Sequence, residues 1–349
     1  MNSLERVLAA LEHREPDCVP FFEPIIDVRV CEGVVPGGTY EDVIEQLQID
    51  CIGLNRSSWD KTTIQFIDEE KGLFRDRWGV IRALGPEAVP YPVEPAIKRP
   101  EDLKDYEPPD PSDPAIYGHL PQVVEQYKGR RAICFMGRDA YFDPAHVRGV
   151  ENFLMDMVLN PKLVHELIDL CLQYDLEVVR RAIKLGVDVI VFGDDYADKN
   201  SSFMSPKHFR EFILPGLKKA IRNAHDHGAY VIKHTDGNIW GLLDMIMEAE
   251  PDGLHPLEPV AGMELGKVKQ LYGDRVCLVG NVDCGALLSW GTPAQVRREV
   301  ERCIHTAAPG GGYMVASSNS IHSSVKPANL VAMAEACREF GQYPIRAAV

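Results

Sequence analysis

The sequence predicts an α/β fold, a (β/α)8 barrel formed by residues 1–349 as a single domain, with N-terminal excursions capping one side. Three observations predict it. From residue 131 onward, short β-branched and apolar runs alternate with amphipathic stretches, at spacings that suit parallel strand–helix–strand units. The runs stop at polar residues able to do chemistry, as barrel strands do at their carboxyl ends. The 349 residues are 45% hydrophobic, enough for one large core, and no low-complexity segment divides them.

The elements follow in order. Leu4, Val7, Leu8 and Leu11 share one face of a helix at 3–13, which Pro16 ends. Residues 18–24 (CVPFFEP) read as a first strand that delivers Glu23 to its end. From 25 to 128 the pattern is irregular, with Pro-rich pieces (GPEAVPYPVEPAIKRP, YEPPDPSDP), a helix at 40–47 and a strand-like run at 78–82. These excursions wall the barrel. Strands follow at 132–137 and 187–192, with helices at 147–157 and 161–185 between them. Ser205-Pro206 then starts a helix running to 226, with proline at its first position. Next come strands at 229–232 and 252–254, separated by a helix, then a helix at 264–271 and a strand at 276–281. A helix at 292–305, a strand at 312–316 and a helix at 327–340 complete the chain.

Composition excludes several functions. The net charge is -15 and no Lys/Arg cluster is present, which argues against nucleic acid. The N-terminal residues lack a signal peptide's apolar core, and no run of ~18 apolar residues exists to span a membrane. The expected location is the cytoplasm. Nine cysteines are scattered singly without a CxxC pair, as expected of reduced thiols. Cys284, in GNVDCG past a strand, is the one to watch.

The chain is organised around residues 229–259, AYVIKHTDGNIWGLLDMIMEAEPDGLHPLEP. Two strands here end in His234-x-Asp236 and His255-x-x-Glu258. Other strand ends supply Glu23, Arg138 with Asp139, Asp194 with Asp195 and Tyr196, Asn281 with Asp283 and Cys284, and Ser317 to Ser320 with His322. A single strand-end Asp ordinarily caps the next helix. Six strands ending this way on one rim converge on a pocket. Zinc takes histidine nitrogen and carboxylate oxygen, so His234, Asp236, His255 and Glu258 are candidate ligands. Equally, His234 and His255 can be hydrogen-bonded residues that bind substrate. Asp194, Asp195 and Tyr196 are the candidate proton donors or orienters, with Asn319 as a further catalytic candidate. Glu23, Asp139, Tyr141 and Asn281 are candidate substrate-binding residues. His225 and His227, at a helix end, read as surface residues. Gly310 to Gly312 precede a strand and read as a turn. Tyr141, Phe142, Phe203, Met204 and Trp240 would serve as a pocket wall or as core.

Segments spread over nearly the whole chain, among them LERVLAALEHREPDCVP, FGDDYADKNSSFMSPKHFREFILPGLKKAI, LVGNVDCGALLSWGTPAQVRREV and GGGYMVASSNSIHSSVKPANLVAMAEA, resemble the uroporphyrinogen decarboxylase superfamily. The resemblance implies a (β/α)8 barrel with its site at the carboxyl ends, used either by porphyrinogen decarboxylases or by methyltransferases that work with corrinoid proteins. The decarboxylases' arginine-rich segment after the first strand is here PFFEPIIDVRVCEG, with Glu23 where cationic groups would stand. The thiol-methylating branch binds zinc through His-x-Cys and a distant cysteine. Here His234 matches the histidine, Asp236 stands at the first cysteine, and the distant position falls near Ser318 or Asn319. An oxygen-rich site suits polarising an ether or alcohol oxygen. The resemblance thus implies an O-demethylating methyltransferase. It would move methyl from a small methoxylated aromatic compound to the Co(I) corrinoid (cobalamin) of a separate carrier protein. No DxHxxG carrier motif occurs in the chain, so the corrinoid comes from that partner. A homodimer is compatible with this reading. The alternatives are a decarboxylase of another substrate and a non-catalytic ligand-binding barrel.

Overall fold

The computed structural model describes residues 1–54, 64–85 and 90–346. Seven parallel strands form one curled sheet: β1 (Cys51–Leu54), β6 (Ala132–Gly137), β7 (Val189–Gly193), β8 (Tyr230–His234), β9 (Gly253–His255), β10 (Cys277–Val279) and β11 (Tyr313–Met314), adjacent in that order. Between β1 and β6 lies an antiparallel meander of β2 (Phe66–Asp68), β3 (Leu73–Arg75), β4 (Ile81–Ala83) and β5 (Tyr91–Glu94).

The parallel strands are short and apolar because both faces are covered, a pattern typical of sheets wrapped by helices. All five residues of β7 are buried. Helices return the chain between strands: Pro161–Leu185 precedes β7, Leu214–Asp226 precedes β8, and Pro293–Ala307 precedes β11. Their starts follow sequence chemistry. Thr292 and Gln295 form a capping box with Pro293 at the first position, and the Ser205 side chain accepts from His208 N. Among the described residues no helix is long and apolar enough to cross a membrane.

Among the described residues seven parallel strands are formed, and the sequence reading of residues 18–24 as a strand is the one that differs. Instead of a strand at 18–24, Phe21 makes an isolated parallel bridge to Val315. Phe22 N donates to Val315 O at 2.9 Å, Val315 N to Pro20 O at 2.9 Å, and Asp50 N to Phe21 O at 2.8 Å. The segment therefore touches both β11 and the start of β1. Pro20 and Pro24 have no N–H to donate, so a continuous ladder cannot form through them. The Asp50 carboxylate takes over part of that role, accepting from Phe21 N at 2.9 Å.

The irregular region also holds more order than its composition suggests, including helices Val28–Val34 and Leu120–Tyr127. Its meander leans on the helix after β6: Ile97 N bonds Val147 O at 2.9 Å and Arg82 Nη2 meets His146 Nδ1 at 3.1 Å. Residues 86–89 of the Pro-rich piece at 85–100 lie outside the described residues.

Candidate functional site

Parallel register brings the strand ends level, with Gly193 beside His234 and His234 beside His255. His234 Nδ1 lies 2.7 Å from His255 Nδ1, and the two rings stack with centroids 4.9 Å apart. The other nitrogen, His234 Nε2, stands 3.5 Å from Asp195 Oδ1 and 3.5 Å from Asp236 Oδ1. Backbone geometry locks the two carboxylates together, since Asp236 N donates to Asp195 Oδ1 at 3.0 Å. The turn after Asp236 needs Gly237: its φ is +83°, and a Cβ there would meet Asp198 O at 2.5 Å. Glu258 Oε2 accepts from Gly237 N at 2.9 Å, and Asn319 Nδ2 donates to Asp236 Oδ2.

Among the described residues the cluster with metal-ligand spacing is Asp195, His234 and Asp236, whose donor atoms lie within 4.8 Å of one another. Of the four ligands expected from sequence, the geometry gathers His234 and Asp236 and adds Asp195. His255 faces His234 from outside the cluster, and Glu258 braces the Gly237 turn. Electrostatics fit a cation. Burial, Lys233 and Arg138 push the His234 imidazole down to about 3, so the ring is neutral and has a lone pair to offer. Burial, with repulsion from Asp195 and Glu258, raises the Asp236 carboxyl well above its usual range. Its Oδ1 is buried without a hydrogen-bond partner among the described residues. One nitrogen and two oxygens facing a common space are the donors a divalent ion takes, with room for a fourth ligand.

Beneath this rim lies a layer closed to solvent. Lys233, which sequence reasoning missed, is wholly buried. Its Nζ donates to Asp139 Oδ2 at 2.8 Å and to Asp194 O at 2.9 Å, and it sits 4.2 Å from the Tyr196 ring centroid. The Tyr196 hydroxyl donates to Asp139 Oδ1 at 2.6 Å. Burial and the charge of Asp194 raise the Asp139 carboxyl to about 6, against the pull of Lys233. Asp194 Oδ2 accepts from the backbone N–H groups of Tyr141 at 3.0 Å and Phe142 at 2.9 Å, anchoring the start of helix Phe142–Arg148. Asp139, Asp194 and Tyr196 therefore support the rim from below, and Asp195 alone of its triplet faces the cluster.

The remaining candidates separate similarly. Glu23 is buried against Ser317, accepting from its backbone N–H and, at 3.0 Å, from its hydroxyl. Burial raises this carboxyl to about 8. Asn281 Nδ2 donates to Leu257 O at 2.9 Å and ties down the loop after β9. Tyr141 stacks on Phe203 at 6.3 Å, and its buried hydroxyl has no hydrogen-bond partner among the described residues. Cys284 lies outside the cluster beside Ser318 Oγ at 3.4 Å, and burial raises its thiol to about 11. His225 is exposed and pairs with Asp252 at 2.8 Å, and Gly310 to Gly312 form a positive-φ turn before β11.

Residues 78–340 match the profile of the family described as uroporphyrinogen decarboxylase (URO-D). The chain belongs to the uroporphyrinogen decarboxylase family. Relatives of the chain include a uroporphyrinogen decarboxylase and a methyltransferase. The uroporphyrinogen decarboxylase of Chlorobium phaeobacteroides is 28% identical over 191 residues, 52% of this chain and 51% of the relative. The methylated-thiol–coenzyme M methyltransferase of Methanosarcina mazei is 24% identical over 226 residues, 65% of this chain and 58% of the relative. The chain thus spans between half and three-fifths of the length of these two relatives. Among solved structures, a methyltransferase from Methanosarcina mazei superposes with a TM-score of 0.77 at 19% identity, over 97% of this chain and 99% of the other. That likeness establishes a fold in common with that methyltransferase.

Proposed function

We propose that this protein is a methyltransferase that takes methyl from a small methoxylated, aromatic compound and delivers it to the Co(I) corrinoid of a separate carrier protein. The observation that carries the reading is the thiolate-free cluster of Asp195, His234 and Asp236 at the strand ends. Nitrogen and carboxylate donors suit a divalent ion acting on oxygen, whereas thiol activation favours cysteine ligands. Zinc held by these three side chains would supply Lewis acidity to the ether oxygen that leaves. Relatives named as methyltransferases support the same branch.

The chain's own residues would do the rest. Tyr141 and Phe203 offer an aromatic wall, with the Tyr141 hydroxyl, unpartnered among the described residues, available to a polar substituent. The carrier's Co(I) corrinoid would supply the electron pair that attacks the methyl carbon. The carbon–oxygen bond breaks with its pair left on oxygen, and a proton completes the alcohol or phenol. With Asp195 engaged as a ligand and Asp194 and Tyr196 buried below the rim, that proton would come from solvent at the open side of the cluster. In-line attack requires the carrier to dock over the strand ends. Phe203, Val260 and Trp290, in the connections after β7, β9 and β10, are exposed there to receive it.

Porphyrinogen decarboxylation is disfavoured because a polyanionic substrate would meet the acidic groups of Asp195, Asp236 and Glu258 at the rim. The nearby cations are already engaged, Lys233 with Asp139 and carbonyls and Arg138 with Gly193 O. The test is methyl transfer to Co(I) cobalamin across methoxylated aromatics, before and after chelation. Substrate-dependent methylation that chelation stops supports the proposal; carbon dioxide release without methyl transfer overturns it.

A further inference from the structure

We propose that His255 is a positioning residue for the metal centre, not a ligand: it holds His234 in the tautomer whose Nε2 is free to bind a cation. The inference rests on the metal reading above and deepens it. The two imidazoles meet Nδ1 to Nδ1 at 2.7 Å. A hydrogen bond between two ring nitrogens needs one N–H and one lone pair, so the neutral pair has two arrangements. If His255 donates, His234 carries its proton on Nε2 and turns a donor toward Asp195 and Asp236. If His234 donates, its Nε2 lone pair faces those oxygens instead.

A cation bound in the cluster selects the second arrangement. His255 Nε2 is buried without a hydrogen-bond partner among the described residues, and a cation facing Asp195 and Asp236 takes the Nε2 lone pair of His234, which leaves the His234 proton on Nδ1, 2.7 Å from His255 Nδ1. With the His255 hydrogen on Nε2, its Nδ1 is the acceptor and His234 is the donor. His234 Nε2, Asp195 Oδ1 and Asp236 Oδ1 then form three acceptors with His234 Nε2 3.5 Å from each oxygen. Ligand atoms at ~2.0–2.1 Å from a tetrahedral zinc stand roughly 3.3 Å apart, so the spacing matches its coordination edge. His255 cannot join them: its Nδ1 is occupied by His234, and it stands outside the donor cluster. A histidine ligand whose second nitrogen donates to a fixed acceptor is a recurrent way to set tautomer and ring orientation.

The experiment measures zinc affinity by competition with a chromophoric chelator, together with the ligand-field spectrum of cobalt(II) as a zinc stand-in. It uses wild type, His255→Leu and His255→Asn. Wild type should bind one equivalent. His255→Leu should keep that stoichiometry and the cobalt band pattern while losing roughly 10- to 100-fold in affinity. His255→Asn, whose amide oxygen stands near the Nδ1 position, should recover most of the loss. If His255→Leu does not fold, His255→Gln, which places its amide nearer the Nε2 position, serves as the loss variant. A cobalt spectrum altered as by removal of a nitrogen ligand, with His255→Asn no better, overturns the inference by making His255 a ligand. Unchanged affinity in the loss variant overturns it as well. Failure of wild type to bind zinc overturns the metal reading and this inference together, and is visible before any variant is compared.

Discussion

Lys233 Nζ lies 2.8 Å from Asp139 Oδ2, and both side chains are wholly buried. This pair is the floor of the candidate site, because Lys233 also holds the Asp194 carbonyl, and residue 194 leads directly into Asp195. Removing one member leaves the other charge without compensation. Lys233→Met should therefore destabilise the fold by about 3 kcal/mol in urea unfolding at pH 8. Without Lys233, Asp139 takes up a proton more readily in the folded state than in the unfolded one, so the variant's stability falls as pH rises. The gap to wild type should be smaller at pH 5 than at pH 8, and Lys233→Met with Asp139→Asn should narrow it. A gap independent of pH would mean that the pair acts through packing alone.

The sheet was largely legible in the sequence, and this floor was not, for one physical reason. Runs such as Val189–Gly193 are buried on both faces, so their apolar character is continuous and visible. Lys233 sits in such a run and reads as an interruption, because its partner, Asp139, is distant in sequence and meets it only through the parallel register of β6, β7 and β8. The same holds for Asp195. Its adjacency to Asp194 was plain, but which carboxylate faces the rim depends on strand-end geometry. The meander at 66–94 was obscured by short strands and prolines, and the 18–24 segment read as a strand because apolar content conceals the missing N–H groups of Pro20 and Pro24.

Asp194 and Asp195 should separate under mutation. Asp194 accepts from the backbone at the head of helix Phe142–Arg148 and is fully buried. Asp194→Ala leaves those N–H groups unpaired and should cost ~2–4 kcal/mol of stability. Asp195→Asn changes a half-exposed rim group, so its melting temperature should stay within a few degrees while zinc affinity and methyl transfer fall at least tenfold. Differential scanning calorimetry beside zinc titration reads both. Equal loss of stability in the two variants would assign Asp195 a structural role.

Glu23 carries a pH signature of its own. Burial raises its carboxyl to about 8, above the ~4.3 of an exposed glutamate. Between those values the folded state holds a proton that the unfolded state has released, so this group's contribution falls as pH rises through the window. Each unit of displacement is worth ~1.4 kcal/mol. Glu23→Gln retains an acceptor for Ser317 N and removes the titration. The variant should match wild type near pH 4.5 and exceed it increasingly toward pH 8. Parallel stability–pH curves would show that Glu23 ionises as freely in the fold as in the open chain.

Asp236 sets function against stability. It stands beside Asp195 and Glu258, whose charges add to burial in raising its carboxyl well above the usual range, and its Oδ1 has no hydrogen-bond partner among the described residues. Without metal, then, Asp236→Asn should leave the protein at least as stable as wild type. The advantage should grow with pH, because the folded wild type resists a deprotonation that the unfolded chain undergoes freely. With zinc the order should reverse. A ligand at about 100 times its Kd stabilises the folded state by ~2.7 kcal/mol, an increment available only to a chain that binds it. Wild type should gain several degrees in melting temperature on adding zinc, and Asp236→Asn should gain far less. Equal zinc-induced shifts in both proteins would remove Asp236 from the ligand set and leave its unpaired oxygen to the substrate.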